Sequence, residues 1–307
     1  MDGGIGLDLV RSRVGRGFEE MRSGVGAMPP AGLVLVGIFC VQLGAALAKG
    51  LFEEAGAGGT VFMRVAFAAV ILFAVWRPVI RGYSARQYAL ATVFGLALAA
   101  MNLAFYSALA RIPLGVAVTL EFSGPLAVAV LGSRRLLDGL WVALAAGGII
   151  LLAPIGAFGG LDLDPVGVGL ALLAGLFWAT YIILSQKTGA EFSGVTGLAI
   201  GMAVGAVALV PVGVFQGGVA LLDSKVLVLG AGVALLSSAI PYSLEMEALR
   251  RIPAKVFGVL MSLEPAVAAL VGLVALGEVL QPRAIVAVFL VTIAAIGASR
   301  FASGDKD

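Results

Sequence analysis

The chain has 307 residues, of which 61% are apolar and 12% charged, with a mean hydropathy of +1.08 and a net charge of +2. Soluble domains are only about 45 to 50% apolar, so this composition predicts a polytopic, all-α membrane protein. The small net charge gives no reason to expect a nucleic-acid partner. The absence of histidine excludes imidazole metal centres and Ser/His or Cys/His catalysis, and the single Cys40 excludes an internal disulfide. We therefore expect no catalytic residues, metal or cofactor.

The first segment, residues 1–29, is rich in glycine and arginine and has no apolar run. It is predicted to be a disordered cytoplasmic leader. After it come ten apolar runs long enough to cross the hydrocarbon core, and residues 304–307 form a short tail. The predicted helices are residues 30–49, 60–76, 88–109, 114–133, 139–158, 166–185, 196–216, 226–249, 255–276 and 283–303.

The basic residues accumulate on one side of these helices. Of the 20 Lys and Arg, 15 fall in the leader, in the tail or in the connections on the same side as both, for example Arg81, Arg134 and Lys306. Because Lys and Arg accumulate in cytoplasmic loops, both termini are predicted to be cytoplasmic, with the lipid bilayer as the chain's surroundings.

An internal repeat relates the two halves of the chain. The sequence ALARIP at 108–113 recurs as ALRRIP at 248–253. The first repeat is predicted to span residues 30–158 and the second residues 159–303, with five helices each. An odd number of crossings inserts the second unit upside down, so the expected architecture is ten helices in two inverted repeats. In such proteins the substrate site lies near the midplane, between the repeats.

The fourth helix contains the sequence TLEFSGP, in which a glutamate precedes a proline by four residues. Pro125 cannot donate to the carbonyl of Glu121, and Gly124 is biased away from helical angles, so a break is predicted here. A carboxylate in the membrane usually faces a bundle interior or a wet cavity. Glu121 is therefore a candidate for the substrate or proton pathway. The alternative is a structural ion pair with Arg64 or Arg111.

The second half carries related signals. Pro265 directly follows Glu264, and Pro241, Tyr242 and Glu245 lie in the eighth helix. The three prolines, together with Gly124, are candidate helix breaks or gates. The other candidates for the pathway are Gln42, Asn102, Tyr106, Trp178 and Tyr181, and the candidate charge partners are Lys49 and Arg64.

Four stretches of the chain resemble a known family: VQLGAALAKGLF, NLAFYSALARIPLGVAVTLEFSGPLAVAV, GSRRLLDGLWV and IPYSLEMEALRRIPAKVFGVLMSLEPAVAALVGLVALGE. They are similar to the bacterial threonine and homoserine exporters of the drug/metabolite transporter superfamily, whose repeat unit is the five-helix EamA domain. The resemblance implies an inner-membrane secondary transporter that exports small amino acids, driven by proton entry. The long leader departs from the family pattern.

Alternating access between the repeats is the expected mechanism. Glu121 is expected to bind the substrate ammonium and to exchange it for a proton. Asn102, Tyr106, Tyr242 or the amino end of a half-helix is expected to bind the carboxylate. Three alternatives stay open at this point: a multidrug or cationic-metabolite exporter of the same superfamily, an intramembrane enzyme, and a channel or receptor.

Overall fold

The computed structural model describes residues 28–131, 136–152, 163–193, 195–249, 251–252, 257 and 260–301. Within these residues the chain is helical apart from short connections and contains no β-strand. The predicted leader up to residue 27 and the tail from residue 302 lie outside the described residues.

Ten helical spans follow one another in the described residues, and each coincides with one of the ten apolar runs, which confirms the all-α class. They are α1 (Pro30–Lys49), α2 (Phe52–Trp76), α3 (Ala85–Leu109), α4a and α4b (Leu114–Glu121 and Ser123–Leu131), α5 (Leu136–Leu152), α6 (Pro165–Glu191), α7 (Thr196–Gly217), α8a and α8b (Ser224–Ala234 and Ile240–Leu249, joined by a π-helical segment, Leu235–Ala239), α9 (Glu264–Leu276) and α10 (Pro282–Phe301).

The start of α2 differs from the prediction, because the helix begins well before residue 60. Gly56 has a φ of +67° and a ψ of 165°, which are not helical angles and which only glycine adopts easily, so α2 consists of two helical pieces joined by a kink at Gly56. The Gly56 carbonyl accepts a hydrogen bond from Thr60 Oγ1 at 2.8 Å, and Gly58 N donates to Gln216 Oε1 of α7 at 2.7 Å. The glycine-rich segment that looks like a loop in the sequence is thus part of the helix.

The end of α6 also lies beyond the predicted residue 185, in a polar last turn that finishes at Glu191. The backbone carbonyl of Glu191 accepts a hydrogen bond from Gln87 Nε2 of α3 at 3.0 Å. This contact satisfies one of the carbonyl groups that the end of a helix leaves without a partner.

Five of these helices, α1, α2, α3, α6 and α7, are long and apolar enough to cross a membrane by length and composition, and shorter apolar helices accompany them. Many large apolar side chains lie exposed on the outside of the bundle, including Phe215, Val219 and Phe289. Such a surface suits lipid rather than water. The chain is a multi-pass membrane protein.

Small residues bring the helices close together. A Cβ atom added to Gly124 of α4b would lie 1.9 Å from the Gly175 carbonyl oxygen of α6, and one added to Gly95 of α3 would lie 2.3 Å from the Gly201 carbonyl oxygen of α7. Both pairs of helices therefore approach backbone to backbone, as helices in membranes commonly do. The first of these contacts lies beside the interruption of α4.

At one end of the bundle, called here the Lys49 end, a single carboxylate ties three helices together. Glu278, which follows α9, accepts from Lys49 Nζ at the end of α1 at 2.5 Å and from the backbone N–H of Leu114 at the start of α4a at 2.8 Å. The second bond satisfies one of the N–H groups that a helix start leaves free.

Two more ion pairs lie at the Lys49 end. Arg111 Nη1 bonds to Asp164 Oδ2 at 2.8 Å, and Lys225 pairs with Glu54. Asp164 also caps α6 by accepting from Val166 N at 2.8 Å. Arg111 therefore has a different partner from Glu121, so one of the two structural pairings considered for Glu121 is wrong.

Candidate functional site

The fourth span is interrupted at Phe122, between α4a and α4b. Pro125 removes the donor that the carbonyl of Glu121 would use in a continuous helix. The interruption is a single residue, Phe122, whose backbone angles stay in the right-handed helical region. Glu121 is the last residue of α4a, and only 8% of its surface is exposed. Its carbonyl oxygen lies against Gly175 of α6, where a Cβ atom would come within 2.7 Å.

The eighth span continues without a gap, but it changes to a π-helix in the segment between α8a and α8b. Pro241 lies just after this segment and cannot donate to the carbonyl of Ser237, four residues earlier. That carbonyl instead accepts a hydrogen bond from Arg64 Nη2 of α2 at 3.1 Å. Single π-helical turns of this kind frequently occur at functional sites.

The guanidinium of Arg64 makes two further contacts, one with α3 and one with the π-helical segment. Its Nη1 donates to the hydroxyl of Tyr106 in α3 at 3.3 Å, and its carbon Cζ lies 5.4 Å from the centre of the Tyr106 ring. Its Nε donates to Ser238 Oγ at 3.5 Å. Arg64 thus has a fixed position between α2, α3 and α8.

These features surround a cavity of about 640 Å³, a size typical of small-molecule sites. The lining comes mainly from α1, α3, α4, α6 and α8, together with residues at and before the start of α9. It comprises Val41, Gln42, Ala45, Arg64, Met101, Asn102, Phe105, Val118, Glu121, Phe122, Pro125, Leu126, Val128, Trp178, Tyr181, Ile182, Ser185, Gln186, Ser237, Glu245, Phe257, Met261, Glu264 and Ala295.

The charges in the cavity are unequal in number. Three carboxylates line it, those of Glu121, Glu245 and Glu264, whereas Arg64 is the single basic side chain among the described lining residues. Glu264 is close enough to both other carboxylates to repel them. Its Oε1 accepts a hydrogen bond from Gln42 Nε2 of α1 at 3.1 Å. The cavity therefore favours a solute or protons that bring positive charge.

Several aromatic and amide candidates share the cavity with the carboxylates. Gln42, Asn102, Trp178 and Tyr181 all line the cavity. Asn102 Nδ2 donates to the carbonyl of Leu98 in its own helix at 2.8 Å, so its amide oxygen is the atom best suited to a solute. Trp178 packs edge-on against Phe122, and Tyr181 stacks on Phe94.

Other candidates lie beside the cavity or away from it. Tyr106 is fully buried behind Arg64, and Lys49 is paired with Glu278 at the Lys49 end. Pro265 lies in the first turn of α9, directly after Glu264. The side chain of Tyr242 lies outside the part of the chain that the structure describes.

Two contributors were not found from the sequence. Ser237 supplies the carbonyl that holds Arg64, and the rule that a proline frees the carbonyl four residues earlier, applied to Pro241 as it was to Pro125, would have identified it. Glu278 joins three helices at the Lys49 end. The sequence around Glu278 does not indicate this role, because its partners Lys49 and Leu114 are distant in sequence.

Comparison with known proteins identifies relatives of this chain. The family model described as "EamA-like transporter family" matches residues 165–300. Proteins named "Threonine/homoserine exporter RhtA" from Escherichia coli (strain K12) and Salmonella typhimurium (strain LT2) are each 43% identical to this chain over 270 residues, which cover 88% of this chain and 91% of the relative.

A solved crystal structure shares the fold with a TM-score of 0.57 at 16% identity, and the match covers 87% of this chain and 96% of that one. Identity of 43% over most of the chain is far above what an unrelated helical membrane protein would show. The chain therefore belongs to the EamA-like transporter family and is a membrane transporter rather than an enzyme.

Proposed function

We propose that this chain exports a small amino acid, of the threonine or homoserine kind, across the cytoplasmic (inner) membrane. The observation that carries the proposal is the cavity in which Arg64 and three carboxylates face one another. A zwitterionic amino acid has one charge of each sign and can meet both kinds of group. The relatives that bear the name of threonine/homoserine exporter support the same solute.

The carboxylate of the solute is assigned to the Arg64 side of the cavity. A guanidinium binds carboxylates with a planar fork of donors, and the contacts of Arg64 with Tyr106 and Ser237 fix where that fork lies. The amide of Asn102 lines the same cavity and offers a second polar contact. The ammonium is assigned to the cavity carboxylates.

We assign proton exchange to Glu121. Its carboxylate is buried next to the interruption of α4, where the backbone can change conformation without breaking a continuous helix. If the cavity opens first to one side of the membrane and then to the other, the Glu121 carboxylate can take up a proton on one side and release it on the other. Proton entry would then drive export.

The proposed architecture is a pair of inverted five-helix repeats, residues 30–158 and 159–303, that rock about the cavity with both termini in the cytoplasm. Two observations support it: the family model covers most of the second unit, and the cavity is lined from both units. In a variant without Cys40, a cysteine at position 82 or 305 should be labelled from the cytoplasm and one at position 162 from outside. External labelling at 305 would overturn this topology. Positions 162 and 305 lie outside the described residues.

Counterflow in proteoliposomes tests the function directly. Vesicles loaded with unlabelled threonine should accumulate labelled threonine, and unlabelled homoserine outside should compete with it. An imposed proton gradient should drive uphill transport of the same solute. Absence of threonine counterflow in vesicles that contain folded protein would overturn the proposal.

A second candidate is the export of larger cationic solutes. The aromatic side chains of Phe105, Phe122, Trp178 and Tyr181 line the cavity next to the surplus carboxylates, and such surfaces bind organic cations through their π faces. A lipophilic cation added to the counterflow assay separates the two functions. If the cation competes and homoserine does not, the second candidate replaces the first.

A further inference from the structure

One hydrogen bond in the cavity joins the two halves of the sequence. Gln42 in the middle of α1 donates through Nε2 to Oε1 of Glu264 in the first turn of α9, at 3.1 Å. Gln42 is 1% exposed and Glu264 is 7% exposed, yet both line the cavity. The helices α1 and α9 pack against each other around this contact. The pair is therefore a built, buried polar site rather than a chance surface contact.

Each member of the pair has one oxygen left over. Glu264 Oε2 and Gln42 Oε1 are buried and have no hydrogen-bond partner among the described residues. Both atoms are acceptors when the carboxylate is ionised. Buried acceptors without a donor are rare, and each costs about 1 to 3 kcal/mol. What the site lacks is a group that brings donors.

We propose that the Gln42–Glu264 pair is the subsite that binds the ammonium group of the transported amino acid. An ammonium has three N–H donors and no acceptor, so it can bond to Glu264 Oε2 and Gln42 Oε1 and still have a donor to spare. Its bond to the ionised carboxylate is charge-assisted and is the stronger of the two. This inference rests on the proposed function and adds to it the residues that recognise the amine.

The assignment separates two roles, ammonium binding and proton exchange, that were both expected of Glu121. The ammonium binds at Glu264, on α9, whereas Glu121, on α4a, is left to exchange the proton. The two carboxylates are close enough to repel each other, so a cation that binds at one changes the electrostatic environment of the other. Because α1 and α9 belong to different predicted repeats, an ammonium bound to both residues would also link the halves that rock.

Access to the subsite requires a small movement. Both leftover oxygens are buried in this conformation, so the ammonium reaches them when α1 and α9 part slightly. The bond from Gln42 Nε2 to Glu264 Oε1 can persist during this movement, because the ammonium bonds to the two oxygens that this bond leaves without a donor.

The test uses competition against labelled L-threonine in proteoliposomes with three probes. These are threonine itself, the 2-hydroxy acid in which a hydroxyl replaces the ammonium, and the amino alcohol in which a hydroxymethyl group replaces the carboxylate. Wild-type protein should prefer threonine to the hydroxy acid by about tenfold to a hundredfold, the range expected for one charged hydrogen bond. The amine preference is defined as the ratio of the apparent affinity for threonine to that for the hydroxy acid.

Glu264→Gln keeps the shape of the side chain and an acceptor for Gln42 Nε2, but it removes the charge and turns the second oxygen into a donor. We expect it to abolish most of the amine preference while the preference for threonine over the amino alcohol persists. Gln42→Met removes the neutral acceptor Oε1 and the Nε2 donor to Glu264 but leaves the charge of Glu264 in place, so it should lower the amine preference less. Because it leaves Glu264 intact, it also serves as the second variant if Glu264→Gln fails to fold.

Glu121→Gln is the matched comparison, because it makes the same substitution in the same cavity. It should keep the amine preference although it loses proton-driven flux. If Glu121→Gln loses the amine preference and Glu264→Gln keeps it, the ammonium binds at Glu121 and the inference is overturned. Retention of the preference by both Glu264→Gln and Gln42→Met overturns it too. Failure of wild-type protein to bind threonine would instead contradict the proposed function.

Discussion

The Lys49 end of the bundle and the central cavity hold their charges in opposite ways. At the Lys49 end each of three acids meets one base, in the pairs Lys49 with Glu278, Arg111 with Asp164 and Lys225 with Glu54. In the cavity, three carboxylates share one guanidinium among the described lining residues. The first arrangement is balanced within the protein, and the second is not.

The difference indicates what each region is for. Ion pairs near water make only a small net contribution to the free energy of unfolding. They can therefore join helix ends without consequence for transport. Surplus carboxylates inside a membrane are costly and need a compensating proton or cation. A transporter that exchanges a proton for an ammonium supplies one or the other at each stage. The imbalance is therefore expected to be functional, and four predictions test the contrast between the regions.

Glu121→Gln should have the largest effect. The amide keeps the shape of the side chain but cannot carry a proton, so proton-driven threonine efflux should fall to the uncoupled background. Arg64 keeps its bonds to Tyr106 and Ser237, so the fold should persist. The measurement is flux under an imposed pH gradient, together with the thermal midpoint of the purified protein.

The opposite pattern would place Glu121 with the structural charges of the Lys49 end. Removing one partner of a buried ion pair costs about 3 to 5 kcal/mol, which a thermal scan detects easily. A strongly destabilised Glu121→Gln that still couples transport to protons would show that this carboxylate only balances Arg64. The site of proton exchange would then move to α8 or α9.

Replacement of Pro125 or Pro241 should have the next largest effect. Pro125→Ala restores a donor for the Glu121 carbonyl and favours a continuous fourth helix, so transport should fall several-fold while expression persists. Pro241→Ala should restore the donor for Ser237 and weaken the position of Arg64. We expect it to raise the KM for threonine more than it lowers the maximal rate. Unchanged flux in both variants would mean that the two breaks are only packing features.

These two prolines also show which features of the site could be predicted from the sequence. The ten spans and the interruption of the fourth helix before Pro125 follow from local rules on apolar length and on proline. The cavity contacts of Arg64 do not, because its partners Tyr106 and Ser237 lie 42 and 173 residues away along the chain. A pattern in one helix cannot reveal which neighbouring helix it faces.

The limits of the helices were harder to predict than their existence. The prediction began the second helix at residue 60, whereas the structure has a helical piece on each side of a kink at Gly56. Similarly, the polar last turn of α6 was excluded by hydropathy, although Gln87 satisfies its end at Glu191. At the end of α6, a tertiary contact supplies a hydrogen-bond partner that the local sequence pattern does not show.

At the Lys49 end, Glu278 should matter more than Lys49, and both should affect stability rather than coupling. The side chains are 13% and 27% exposed, so the pair is partly desolvated. Lys49→Met removes the ion pair alone, whereas Glu278→Ala also removes the partner of the Leu114 N–H, a loss of about 1 kcal/mol for a helix start. In the double variant the Lys49 change should add little, since its partner is already gone. Thermal midpoints of the three variants measure this, and additive losses would contradict a direct pair.

Asp164→Asn should have the smallest effect. The hydrogen bond from Arg111, followed by that from the Val166 N–H, holds the pKa of the Asp164 carboxyl below its ordinary value. A lowered pKa in the folded state means that the stabilisation is present above the pKa of the unfolded chain and is lost as the pH falls through the lowered folded value. Wild-type protein should therefore exceed the variant in thermal midpoint slightly at neutral pH, and the two should converge in acid. Because Asn still caps α6, transport should be unchanged at neutral pH. A loss of transport in Asp164→Asn would show that the paired charges of this end take part in the cycle, and the contrast with the cavity would then fail.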